Sequence, residues 1–121
     1  MAVHVLEHFY LWEVHDLLIE WRRVLKPGGR LVVELPCMDK VFGHIVHRMS
    51  KGQAPDPIFS WLPLWGDPKY KRPEMGHKWG YSLSDLKGML EKAGFVDVSL
   101  GEARYHFPQR DMRAEAKKPE A

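Results

Sequence analysis

A single cysteine, Cys37, in a chain of 121 residues leaves no partner for an internal disulfide. The fold owes nothing to oxidation and suits a reducing compartment, and Cys37 reads as a small apolar residue at a strand end. Long apolar runs are also lacking. No stretch approaches the roughly 20 residues that a membrane-spanning helix requires. The first residues, Met1-Ala2-Val3-His4-Val5-Leu6, run straight into Glu7-His8, without the basic, apolar and small-residue order of a secretory signal. The expected location is therefore the cytoplasm, with no membrane partner. A net charge of +2 is too small, and its basic residues too dispersed, for a nucleic-acid surface. There is no internal repeat. The length allows one domain, expected over residues 1–118 with a frayed tail at 119–121.

What is present is an alternation of helical and strand-like patterns. Val14, Leu17, Leu18, Trp21 and Leu25 recur at three- and four-residue steps and predict a helix with one apolar face. Lys26 suits the negative pole of its end, and Pro27-Gly28-Gly29 stops it. Leu31-Val32-Val33-Glu34-Leu35 is short and nearly all apolar, the composition of a strand buried on both faces of a parallel sheet. Val41, Ile45 and Val46 suggest a helix between Met38 and Met49. Residues 50–80, with five prolines, four glycines and three tryptophans, predict a long functional loop. Ser82 or Ser84 caps a further helix with the face Leu83, Leu86, Met89, Leu90 and Ala93, closed by Gly94 in the left-handed region. Phe95–Leu100 and Met112–Lys117 predict two strands paired as an antiparallel edge.

Five segments in this order resemble the later part of class I S-adenosylmethionine-dependent methyltransferases, type 11-like. His4-Val5-Leu6-Glu7-His8 resembles the stretch after that family's fourth strand. Trp21-Arg22-Arg23-Val24-Leu25-Lys26-Pro27-Gly28-Gly29-Arg30-Leu31 resembles its approach to strand five. His77-Lys78-Trp79-Gly80-Tyr81 and the run from Asp111 to Pro119 resemble late segments of its small-molecule and sugar-modifying members, as does the helix ending Ala93-Gly94-Phe95. The resemblance implies an α/β fold, a partial Rossmann-like sheet equivalent to strands four to seven. The Gly-x-Gly loop that would approach the cofactor, and the acidic residue for its ribose, have no counterpart here. The one glycine pair, Gly28-Gly29, lies after a helix and before a strand. The chain is thus expected to correspond to a C-terminal half whose glycine-rich N-terminal half is missing, and to pair with that half or with a second copy of itself.

The resemblance further implies methyl transfer from S-adenosylmethionine to an oxygen or nitrogen of a small molecule, such as a sugar or cell-surface precursor. His4, Val5 and Leu6 would lie at the cofactor, His8 and His77 would act in catalysis, and Trp79 and Tyr81 would meet the acceptor. The alternative is a non-catalytic, self-associating remnant that binds no cofactor.

Other readings of the same residues compete. His4, Glu7 and His8 would share a helical face at a spacing that suits a metal, and His-x-x-Glu-His is also the inverted zinc-protease pattern. That pattern needs a long helix and a third ligand downstream; the resemblance also takes in quinone-pathway members that place acidic and histidine residues here for a divalent ion, but no metal is expected. Trp61, Trp65, Tyr70 and Trp79 are expected to fasten the proline-rich loop to the body. Arg104, His106, Arg110 and Arg113 are expected on a solvated edge strand rather than around an acidic acceptor.

Overall fold

A computed structural model describes residues 1–120. Its four strands are β1 (Ala2–Val3), β2 (Arg30–Pro36), β3 (Val96–Glu102) and β4 (Asp111–Lys117), and its helices are α1 (Leu11–Val24), α2 (Met38–Ser50), α3 (Trp61–Trp65) and α4 (Leu83–Lys92). One sheet joins the strands in the order β1-β2-β4-β3.

Helix α1 begins three residues before its first buried position, Val14, because Glu13 in its first turn reaches back to accept the Tyr10 N–H at 2.9 Å. Its last carbonyls, Arg23 and Leu25, are taken by Lys118 Nζ at 3.3 and 2.8 Å. The cation at the helix pole is thus Lys118 from the far end of the chain, not the expected Lys26. Ser82, rather than Ser84, caps α4 by a reciprocal box with Asp85. Gly94 ends that helix at φ 95°, and a β-carbon there would collide with the Arg22 guanidinium.

Val14 and Leu18 of α1 and Leu86 and Leu90 of α4 pack on the same sheet face, against Leu31, Val33, Leu35, Met112, Ala114 and Ala116. Alternation sends Glu34, Arg113 and Glu115 to the opposite face. There the paired register Glu34↔Arg113 makes an ion pair of 2.8 Å, and Arg113 extends to Glu115 at 3.2 Å. The Arg104 and Tyr105 N–H groups also donate to Glu34, at 2.9 and 3.1 Å. Burial raises the Glu34 carboxyl's pKa, but these donors outweigh it and hold it below its ordinary value.

Two expectations are corrected. Strand β2 is parallel only to β1; its other neighbour, β4, is antiparallel. And β4 is not an edge. It lies between β2 and β3, with Asp111 to Ala114 all buried, while β3 is the exposed outer strand. Its alternating charges read as solvated, but they are matched across the ladder instead. Arg113 is accordingly buried, not solvated.

Residues 50–80 contain α3 and three short 3₁₀ turns at Pro57–Phe59, Pro68–Tyr70 and Pro73–Met75. The aromatics expected to fasten this segment do not: Trp61, Trp65, Tyr70 and Trp79 are all exposed. Ser60, Pro63 and Tyr81 are buried in their place, and Tyr81 joins Cys37 in a parallel bridge at the end of β2. Of α2, only Met38 and Val41 are buried; Val46 is exposed. No helix among the described residues is long and apolar enough to cross a membrane. Ala121, from the expected tail, lies outside the described residues.

Candidate functional site

A cleft of about 460 Å³ opens where β1 and β2 end, and four of the seven histidines line it: His4, His8, His77 and His106. Arg110 and Lys69 add positive charge to its wall. Its place beyond the carboxyl ends of two parallel strands is where ligands bind in open α/β sheets.

The backbone of His4 starts the site. Its φ of 55° turns the chain out of β1, and its N–H keeps one more bond to the Glu34 carbonyl at 2.7 Å. A 3₁₀ turn, Leu6–His8, follows and sends Leu6 into the core while Glu7 lies buried beneath the cleft. The His4 ring sits between two buried carboxylates, with Nδ1 2.9 Å from Glu7 and Nε2 3.2 Å from Asp111. Burial disfavours its charge, but the two facing carboxylates, Asp111 and Glu7, overcome that and raise its pKa to about 9. It is therefore an imidazolium at neutral pH. Asp111 is buried too, which alone would raise its pKa, yet His4 and Arg110 hold it below the ordinary value. Arg110 Nε lies 2.9 Å from that carboxylate.

His77 arrives from 69 residues away in sequence relative to His8 through three backbone-level ties. The Lys78 N–H donates to the Glu7 carbonyl at 2.6 Å, and the His77 N–H donates to the Trp65 carbonyl at 3.1 Å. The His77 ring donates from Nδ1 to the Pro63 carbonyl at 2.7 Å. His77 thus satisfies two carbonyls that the five-residue helix α3 leaves unpaired. The approach requires Gly66, at φ 93°, where a β-carbon would come 2.8 Å from the Met75 carbonyl oxygen. Burial lowers the His77 pKa, so its ring is neutral at pH 7. The rings of His8 and His77 meet edge to face with centroids 4.8 Å apart, and His8 Nδ1 lies 3.3 Å from the Gly76 carbonyl.

The expected site residues therefore separate. His4, His8 and His77 come together in the cleft. Leu6 is a core residue, and Val5 faces a different groove, of about 330 Å³, beside Trp21, Val24 and Leu31. Trp79 is exposed, and Tyr81 is buried with its hydroxyl unpartnered and its pKa pushed up to about 12, first by burial and then by Glu7 and Asp85. The expected triple His4, Glu7 and His8 does not converge as a metal set; Glu7, His8 and His77 do, each with one ligand atom within 4.8 Å of the others. Asp111 escaped the sequence reading because its partner, His4, stands at the other end of the chain. Arg110 and His106 were noticed but placed on an edge; His106 stacks edge to face on His4 at 4.3 Å.

A sheet with one parallel pair followed by two antiparallel pairings, helices α1 and α4 on one face, and a polar cleft at the strand ends is a specific arrangement. Solved chains share the fold. A methyltransferase dependent on S-adenosylmethionine from Archaeoglobus fulgidus matches 98% of this chain and 57% of its own length, at a TM-score of 0.61 and 18% identity. The fold is that of the S-adenosylmethionine-dependent methyltransferases. A second such methyltransferase, from Thermotoga maritima, matches 97% of this chain and 55% of its own length at a TM-score of 0.54 and 16% identity. A protein of Bordetella parapertussis, described only as a possible exported protein, matches 97% of this chain and 37% of its own, at 0.55 and 20% identity. The chain thus spans between 37% and 57% of the length of these solved chains. A family model described as a methyltransferase domain matches residues 1–33, from β1 through the first half of β2. A search of the curated proteins finds no match.

Proposed function

We propose that this chain supplies the acceptor side of a methyltransferase that moves the methyl group of S-adenosylmethionine to an oxygen or nitrogen of a small molecule, as the C-terminal part of a longer enzyme. The observation that carries the reading is the four-histidine cleft at the carboxyl ends of β1 and β2, within a fold shared with solved methyltransferases. The sulfonium of the cofactor brings an activated leaving group, so the protein's task is chiefly alignment. His4, the one residue of the expected cofactor trio that reaches the cleft, would border the cofactor. Because Val5 and Leu6 turn to the core side, the rest of the seat is assigned to the earlier part of the enzyme. His77, neutral and held by the Pro63 carbonyl, can take the proton that an acceptor hydroxyl or amine loses, with His8 beside it. The reading places the enzyme in the cytoplasm.

The second reading is a non-catalytic remnant that associates with itself and binds no cofactor. The observation in its favour is the apolar groove at β1, where Met1, Ala2, Val5, Trp21, Val24 and Leu31 line a hollow beside a strand that pairs on one side only. Calorimetric titration of the purified chain with S-adenosylmethionine, beside light scattering for mass, separates the two. Saturable, one-to-one binding would sink the remnant reading; a dimer that takes up no cofactor would sink the methyl-transfer reading for the isolated chain.

A further inference from the structure

The geometry points to a binding site for a first-row divalent cation of the zinc type, held by Glu7, His8 and His77 at the floor of the cleft. Three observations converge on it. Each of the three side chains offers one ligand atom within 4.8 Å of the others. A carbonyl can only accept, so the Pro63 carbonyl on His77 Nδ1 and the Gly76 carbonyl on His8 Nδ1 place a hydrogen on Nδ1 of each ring. Nε2 is then the nitrogen of each ring left to ligate a cation, and backbone carbonyls orient both imidazoles as such partners orient metal-bound histidines. Finally, Glu7 is 2% exposed at its side chain, and its oxygens are used unequally: Oε2 accepts from His4 Nδ1, while Oε1 is buried without a partner. A buried carboxylate oxygen left bare costs about 1–3 kcal/mol or more, and a cation against it removes that cost.

The donor set decides the class of ion. Two imidazoles and one carboxylate favour zinc and its first-row neighbours over magnesium or calcium, which take all-oxygen shells. Tetrahedral zinc with bonds of about 2.0–2.1 Å brings ligand atoms to about 3.4 Å from one another, so the three groups close by roughly an ångström around the ion. The relay Asp111, His4, Glu7 then acts as its outer support: His4 holds one oxygen of Glu7 and leaves the other for the cation. Three protein ligands leave a position open to the cleft. The ion site stands without the methyl-transfer reading; only the placement of an acceptor oxygen at that open position rests on it. With the ion bound, His77 is a ligand and not a base, and the cation itself lowers the pKa of a bound hydroxyl.

The test is calorimetry of the full chain, stripped with chelator, against Zn²⁺ alone, with Co²⁺ absorption as a second probe. We expect one Zn²⁺ per chain, visible Co²⁺ bands of a low-coordinate site, and at least about a tenfold weaker affinity in Glu7→Gln and His77→Ala. Circular dichroism checks that the variants fold, and His8→Gln, at a half-buried position outside the apolar core, provides the same readout should either fail. His15→Gln and His47→Gln, on exposed positions, should leave the affinity unchanged. The inference is overturned if the wild type takes up no Zn²⁺, if the three site variants bind as the wild type does, or if Mg²⁺ competes equally. Zinc uptake without S-adenosylmethionine binding supports the ion site while counting against methyl transfer by the isolated chain, so the two readings fail separately.

Discussion

His4 shows how a single side chain comes to matter to stability. Its folded pKa of about 9 exceeds the ordinary 6.5, so its contribution is fully present below pH 6.5 and is lost as pH rises through 9. A shift of that size corresponds to about 3 kcal/mol at most, and its 19% side-chain exposure reduces this modestly. Asp111 has the opposite sign: its depressed pKa contributes above its unfolded value and is lost in acid. Urea midpoints in chelated buffer should therefore fall between pH 7 and 9.5, and His4→Gln should flatten that slope. An unchanged slope in the variant would remove His4 from the account. Gly66 is the second decisive residue. Gly66→Ala puts a β-carbon against the Met75 carbonyl at a φ that alanine resists, for an expected loss of about 1–2 kcal/mol. The His77 ring resonances should move in the same variant, because Gly66 sets the approach of that segment; a silent His77 signal would show that the loop reaches its place by another route.

At the scale of elements, β4 carries the most information. Its inner face, Met112, Ala114 and Ala116, is fully apolar, and its other face is charged, so it fits only between a strand with a carboxylate at the right register and an outer strand that screens it. Arg113→Leu removes the partner of Glu34 and leaves a buried carboxylate with backbone donors only. The expected cost is about 3–5 kcal/mol, read as a lower thermal midpoint, whereas the double change Glu34→Leu with Arg113→Leu should recover much of it. If the double variant is no better than the single, the pair is not the source of the loss. Helices α1, α2 and α4 were legible because their faces repeat at the helical period and the ends of α4 carry local signals in Ser82 and Gly94, whereas α3, only five residues long, lies in a segment read as loop. The place of β4 was not legible, because its alternating charges mimic a solvated edge, and the partners that let them be buried, Glu34 and His4, stand far earlier in the chain.

For the whole molecule, the open side of β1 and the apolar groove beside it are the features that a partner would cover. Val24 lies at the rim, 65% exposed, so Val24→Glu alters the surface without emptying the core. If that surface joins two copies, light scattering should show concentration-dependent mass for the wild type and a shift toward monomer for the variant. Equal masses at all concentrations would rule that surface out as a contact between copies.

Sequence by itself determined the order and kind of the main elements, since periodicity, caps and turn residues act over a few positions at a time, and it singled out His4, His8 and His77. Only the tertiary structure decided what those histidines face. His4 is enclosed by Glu7 and Asp111, and His77 stands against His8, because long-range backbone hydrogen bonds fold the 66–81 segment onto the turn after β1. Such bonds depend on the closure of distant chain segments, and no local pattern of side chains records which carbonyl will meet which N–H.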